Sequence, residues 1–204
     1  MSENAGAAVK SSIFGLTTMI TQNLSKVSEE QIGIGIDVLL KHRNNKILVV
    51  GAGRSSLVAK AFALRLLHLG YNVHVLGDTL VPSIDEKDLV IAVSGSGTTR
   101  LVVAAVEAAK HVGAKVLAVT SFPDSPLGRL ADYIIEVKGR ILGSEESGRD
   151  YFSRQILGLH EPLAPLGTLF EDSCMILFDA MVVVLLDKLK MSEEELKKRH
   201  ANIE

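Results

Sequence analysis

The chain has a single cysteine, no tryptophan, only five prolines, and aromatic residues make up just 4% of its 204 positions. One cysteine excludes an internal disulfide framework. Cys174 lies in an apolar run and reads as a small buried core residue. His68, His74, His111 and His160 share no spacing that would form a metal site. An excess of one charge is also missing. With a net charge of −2 and mixed acids and bases, no basic stripe is available for nucleic acid. The N-terminus lacks both the basic region and the apolar core of a signal peptide. The most apolar run, residues 174–186, is interrupted by Asp179 and falls short of the ~20 residues that span a bilayer. No nucleic-acid partner, no membrane partner and a cytoplasmic location are therefore expected.

What the chain does have is Ala, Val, Leu and Ile: 47% of it is hydrophobic. Together with few aromatics, this suits helices packed on a parallel sheet. The length fits one domain with a helical extension. The apolar surplus points to faces buried between subunits, and hence to a homo-oligomer.

Residues 1–45 read as an N-terminal helical extension. Ile13, Leu16, Met19, Ile20 and Leu24 recur at helical spacing and form one apolar stripe. Ser28-Glu-Glu-Gln31 has the form of a capping box opening a second helix. Residues 46–204 form the main domain, where strands alternate with helices. Strands are expected at 47–50, 71–76, 89–93, 115–119 and 133–137. Gly70 is the natural stop of the first crossover helix. Pro123 and Pro126 leave room for only a short helix. Residues 138–167 have no clean periodicity, a long helix follows over 168–190, and Ser192-Glu-Glu-Glu195 opens a short C-terminal one. The expected fold is α/β: a doubly wound, five-stranded parallel sheet of flavodoxin-like order 2-1-3-4-5 with helices on both faces.

The most informative stretch follows the strand at 89–93. Ser94, Gly95, Ser96, Gly97, Thr98 and Thr99 close that strand and open a helix. Small hydroxylated residues at a helix N-terminus form an anion pocket, and the glycines let the backbone approach a ligand. No lysine follows in the Walker pattern, so a phosphate monoester fits better than a nucleoside triphosphate. A second glycine-rich loop, residues 51–56, follows the first strand. In the expected strand order both loops reach one crevice at the carboxyl edge of the sheet. Gly51-Ala-Gly53 also resembles the start of a dinucleotide fingerprint. However, the third glycine is replaced by Ser56, and no acid stands at ribose distance, which leaves a nicotinamide-binding domain as a rival reading. Arg54 would place a fixed charge in the crevice, or form a surface ion pair.

Val50-Gly-Ala-Gly-Arg-Ser55, Ser94-Gly-Ser-Gly-Thr-Thr99, Pro165-Leu-Gly-Thr-Leu-Phe-Glu171 and the ending His200-Ala-Asn-Ile-Glu204 together resemble the sugar isomerase (SIS) domain family. Within it they are most similar to the 6-phospho-3-hexuloisomerases. The resemblance implies interconversion of D-arabino-hex-3-ulose 6-phosphate and D-fructose 6-phosphate with no metal or organic cofactor. It implies a homotetramer and a metabolic partnership with 3-hexulose-6-phosphate synthase, as in the ribulose monophosphate pathway of formaldehyde metabolism. By the same resemblance residues 94–99 hold the phosphate, Ser55 contacts substrate, and Glu171 is the proton acceptor. Alternatives are another phosphosugar isomerase, such as one acting on arabinose 5-phosphate, and a non-catalytic sugar-phosphate sensor.

Moving a carbonyl between neighbouring carbons passes through an enediolate, which one carboxylate can mediate. Arg54 is the candidate stabiliser of the developing negative charge. By position alone Glu171 is an ordinary first-turn helix acid, whose pKa the helix dipole lowers; burial acts in the opposite direction. His200 is a second catalytic candidate, as a proton relay in its own or a neighbouring subunit's site, or else a solvated tail residue. His160, beside Glu161, is the other histidine placed to approach substrate.

Overall fold

The computed structural model describes residues 5–139 and 167–199. In chain order the elements are α1 (Ala5–Leu24), α2 (Glu29–Lys41), β1 (Lys46–Gly51), α3 (Gly53–His68), β2 (Asn72–Val75), β3 (Leu89–Val93) and α4 (Arg100–His111). They continue with β4 (Lys115–Thr120), α5 (Pro126–Leu130), β5 (Tyr133–Glu136), α6 (Thr168–Lys188) and α7 (Glu193–Lys198). The five strands form one sheet in the order β2-β1-β3-β4-β5, and every neighbouring pair is parallel. This is the expected order. The middle strand β3 is buried along its whole length, as a continuous Val/Ile/Leu run requires when helices cover both faces.

The two faces carry separate cores. On one, α2, α3 and α6 pack over Ile47, Val49, Leu89, Ile91 and Val93. Phe62 of α3 stacks on Phe178 of α6 with ring centroids 4.3 Å apart, a pairing worth about 0.5–1.5 kcal/mol beyond the area it buries. On the other face, α4 and α5 cover Leu48, Val50, Val90, Ala92 and Val116. Cys174 is fully buried in the first core, as expected. Among the described residues no helix is long and apolar enough to cross a membrane.

Three local details differ from the sequence reading. The stripe on α1 packs only through its C-terminal part: Ile20 is buried, whereas Ile13 is 55% exposed. At α2, Ser28 does cap the helix by accepting from Gln31 N. Gln31, however, does not reach back; its Oε1 accepts the backbone N–H of Glu136 at 2.8 Å. The tertiary fold thus uses that amide to satisfy an edge donor of β5, which would otherwise lie open to strand pairing. Strand β2 starts at Asn72 rather than Tyr71, whose ring lies buried under the Arg43 guanidinium at 4.5 Å. The C-terminal capping box at Ser192 and Glu195 forms in full, and Gly70 takes the left-handed conformation just past α3.

At the amino edge of the sheet, Asp132 joins three elements. It accepts hydrogen bonds from Lys110 Nζ of α4 at 2.7 Å, Lys115 Nζ at 3.0 Å and Val116 N of β4 at 2.9 Å. Burial by itself would raise the Asp132 pKa, but these donors outweigh it and hold the carboxyl below its ordinary value. Such a group stabilises the fold above its unfolded-state pKa of about 4 and loses that contribution as pH falls through the lower folded value. Asp132→Ala is therefore expected to cost roughly 1–3 kcal/mol at pH 7. Urea unfolding of both proteins from pH 7 to pH 3 should show the difference shrinking only at the acid end.

Candidate active site

Strands β1 and β3 are neighbours, and their last residues, Gly51 and Val93, are in register. The two glycine-rich loops therefore leave the sheet about 5 Å apart, at the carboxyl edge. The first turns at once into α3. A side chain at Gly51 would bring its Cβ within 2.9 Å of Ser56 Cα, so only glycine permits that bend. Arg54 and Ser55 lie in the first turn of α3, with Arg54 exposed and Ser55 half-buried.

The second loop is tied together by its own hydroxyls. Ser94 Oγ accepts Gly97 N at 3.2 Å and lies 3.1 Å from Thr99 Oγ1. Ser96 Oγ accepts Thr98 N at 3.3 Å and lies 3.4 Å from the same Thr99 oxygen. Ser94 and Ser96 are buried, and Thr98 is exposed. Gly97 has φ 63°, and an added Cβ there would overlap Ser125 Oγ. Thr99 occupies the N-cap of α4 but makes no capping hydrogen bond, because its hydroxyl faces Ser94 and Ser96. Ala52, at the N-cap of α3, has no side chain that could cap. By contrast, α2, α5 and α7 are each capped by a serine, while α6 has Gly167 at its N-cap, likewise without a side-chain cap. The two helices that start at the crevice thus keep N-terminal N–H groups for an anion, and their dipoles favour one there.

Glu171 arrives from α6, much later in the chain. Its neighbour Phe170 lies so close to the hydroxyl loop that a Cβ on Gly95 would stand 3.0 Å from the ring. That contact sets the first turn of α6 beside the anion loop. Glu171 is 8% exposed. Arg54 Nε stands 2.6 Å from its Oε2, an ion pair by distance that lacks the alignment of a hydrogen bond. Arg54 Nη2 meanwhile donates to Asp172 Oδ1 at 2.9 Å. Burial raises the Glu171 pKa above its ordinary value; the Arg54 charge pulls it back and the Asp172 charge pushes it up. Of these influences desolvation is the largest. Arg54 links two consecutive carboxylates of α6, the buried Glu171 and the more exposed Asp172.

The structure thus brings Arg54, residues 94–99 and Glu171 to one edge of the sheet, with Ser55 in the same helical turn as Arg54. His200 and His160 lie outside the described residues, as does nearly all of the aperiodic segment 138–167. Sequence reasoning missed Asp172 and the loop after β4. There Thr120, Ser121 and Ser125 are buried, Ser121 N donates to Gly95 O at 3.2 Å, and Ser125 abuts Gly97. The available signal was a strand ending in hydroxylated residues, the same pattern as at 94–99.

Among the described residues no group of three or more His, Cys, Asp or Glu side chains is placed to hold a metal ion. Residues 39–141 match the SIS domain. The 3-hexulose-6-phosphate isomerase of Bacillus subtilis (strain 168) is 37% identical over 87% of this chain and 88% of its own length. The protein of the same name from Mycobacterium gastri is also 37% identical, over 91% of this chain and 86% of its own. A crystal structure of a Methanococcus jannaschii protein, from which a function of 3-hexulose-6-phosphate isomerase was inferred, superposes with a TM-score of 0.75 at 26% identity. It covers 92% of this chain and 98% of that one.

Because Arg54 opposes the effect of burial on Glu171, Arg54→Gln should raise the Glu171 pKa further. NMR titration of protein carrying carboxyl-labelled glutamate would detect this as a Glu171 midpoint moved to higher pH. An unmoved midpoint would show that the ion pair does not persist in solution.

Proposed function

The chain belongs to the SIS domain family, and from that premise we propose that it is a phosphosugar isomerase interconverting D-arabino-hex-3-ulose 6-phosphate and D-fructose 6-phosphate. The observation that carries this reading is a buried carboxylate, Glu171, held beside a hydroxyl-rich anion loop through the contact of Phe170 with Gly95. The names of the relatives from Bacillus subtilis and Mycobacterium gastri support the choice of substrate.

The phosphate sits against Ser94, Ser96, Thr98 and Thr99 and the open N–H groups of α3 and α4, with Gly95 and Gly97 allowing close approach. Ser55 contacts the sugar from the first turn of α3. Glu171 takes the proton from C2 of the 3-ulose, and the electron pair of that C–H bond forms the C2–C3 double bond of an enediolate. Negative charge collects on O3, where the Arg54 guanidinium stabilises it. The hydroxyl proton on O2 passes to O3, and Glu171 returns its proton to C3 as the carbonyl re-forms at C2. His200 is the group assigned to the oxygen-to-oxygen transfer. The reaction is redox-neutral overall. A raised pKa suits Glu171 to this task, because a base that must also give its proton back works best near ambient pH.

A homo-oligomer, with the hexulose phosphate supplied by a 3-hexulose-6-phosphate synthase, belongs to the same proposal. Exposed Phe14 on α1, Leu57 and Leu64 on α3, and Ile176 and Val183 on α6 support an interface between copies.

Glu171→Gln keeps the shape of the site and removes the base. It should lower kcat by roughly 10²–10⁴-fold and abolish deuterium wash-in from solvent into fructose 6-phosphate. Ser94→Ala combined with Ser96→Ala should instead raise KM by about tenfold or more, because each lost hydroxyl removes a contact to a charged group. Wild-type turnover in the Glu171 variant would remove it from the proton-transfer step.

A further inference from the structure

Arg54 approaches Glu171 in an unusual way for an arginine beside a carboxylate. The favoured geometry is a fork, with two parallel N–H groups on both oxygens of one carboxylate. Here the guanidinium is divided: Nε faces Glu171 Oε2 and Nη2 binds Asp172 Oδ1. The two acids are consecutive on α6. Glu171 is buried while the Asp172 side chain is 39% exposed, so the arginine spans from the site's interior to its rim. The close contact of the ion pair is with Oε2. The Arg54 side chain is 54% exposed.

We propose that Asp172 is a positioning residue that splits the arginine fork, so that Glu171 keeps one oxygen free for the substrate proton while Arg54 stays at the rim to meet the enediolate. Among the described residues Asp172 is the acceptor that holds Nη2; without it the guanidinium closes on Glu171 as a bidentate pair. That closure would occupy both carboxylate oxygens and withdraw the cation from the substrate. It would also lower the Glu171 pKa twice over, since a stronger opposite charge is gained and the raising influence of Asp172 is lost. The inference rests on the assignment of Glu171 as the base, and it adds a group that touches neither substrate nor reacting carbon.

The test is Asp172→Asn, with Asp172→Glu as the conservative variant. Expected for the Asn variant are a kcat lower by about tenfold, a KM within twofold, and the acid limb of the kcat profile moved to lower pH; the Glu variant should restore both rate and limb. On an Arg54→Gln background, Asp172→Asn should change kcat by less than about twofold, because the two residues act as one unit. NMR titration of Glu171 in the Asn variant should show the same downward movement, and it needs no turnover. A wild-type kcat, an unmoved acid limb, or a full tenfold loss on the Arg54→Gln background would each overturn the role of Asp172. If Glu171→Gln retains turnover, the assignment of the base fails instead. Whether Asp172 divides the fork is then read from the Glu171 NMR midpoint, which Asp172→Asn should lower more in the wild-type background than on the Arg54→Gln background, where only the loss of the Asp172 charge acts.

Discussion

The parallel pairing of β1 with β3 is the contact on which the site depends. It brings Gly51 level with Val93, and the strand order reverses at that seam, with β2 on one side and β4 and β5 on the other. Two loops and two helix N-termini then open at one crevice. Both strands are apolar and buried on both faces, which places the pairing in the interior of the sheet. Anion binding at this edge follows from sheet topology before any side chain is considered.

Side chains then divide the labour among the helices. Three helices have a serine at the N-cap that satisfies their first N–H groups. The two at the crevice lack that cap for different reasons: alanine has no oxygen to offer, and the Thr99 hydroxyl is held in a cluster with Ser94 and Ser96. An uncapped helix end costs about 1 kcal/mol when nothing replaces the cap. A bound phosphate supplies the missing acceptors, so the same N–H groups that weaken the empty site would strengthen the occupied one.

Glu171 sits where two electrostatic influences oppose each other. Its place in the first turn of α6 favours the carboxylate, while burial among Phe170, Cys174 and their neighbours favours the acid. Burial is the largest influence and raises the pKa, with Arg54 pulling it back. The same burial reaches Cys174, whose thiol is pushed well above its ordinary value, by desolvation first and by the nearby Glu171 charge second. Cys174 is therefore a core residue and not a nucleophile.

Periodicity and composition were enough to read the strands, the crossover helices and the hydroxyl loop, because each rests on local pattern: apolar runs, glycines at bends, hydroxyls after a strand. The strand order was assumed by analogy with flavodoxin-like sheets, and the candidacy of Glu171 came only with the resemblance to the SIS domain family. Properties that depend on the meeting of distant segments were not legible. Gln31 looks like half of a capping box until β5, 105 residues away, presents an unpaired N–H. Ile13 belongs to a clean apolar stripe, yet the surface it would cover is absent at that end of α1. Asp172 carries no motif at all, and its partner Arg54 is 118 residues distant. Even the direction of the Glu171 pKa shift required three-dimensional packing, since desolvation is a property of the surroundings and not of the residue. The hydroxyl loop itself was visible from its letters; that Phe170 leans on its glycine and carries a base alongside it was a matter of packing between segments 75 residues apart.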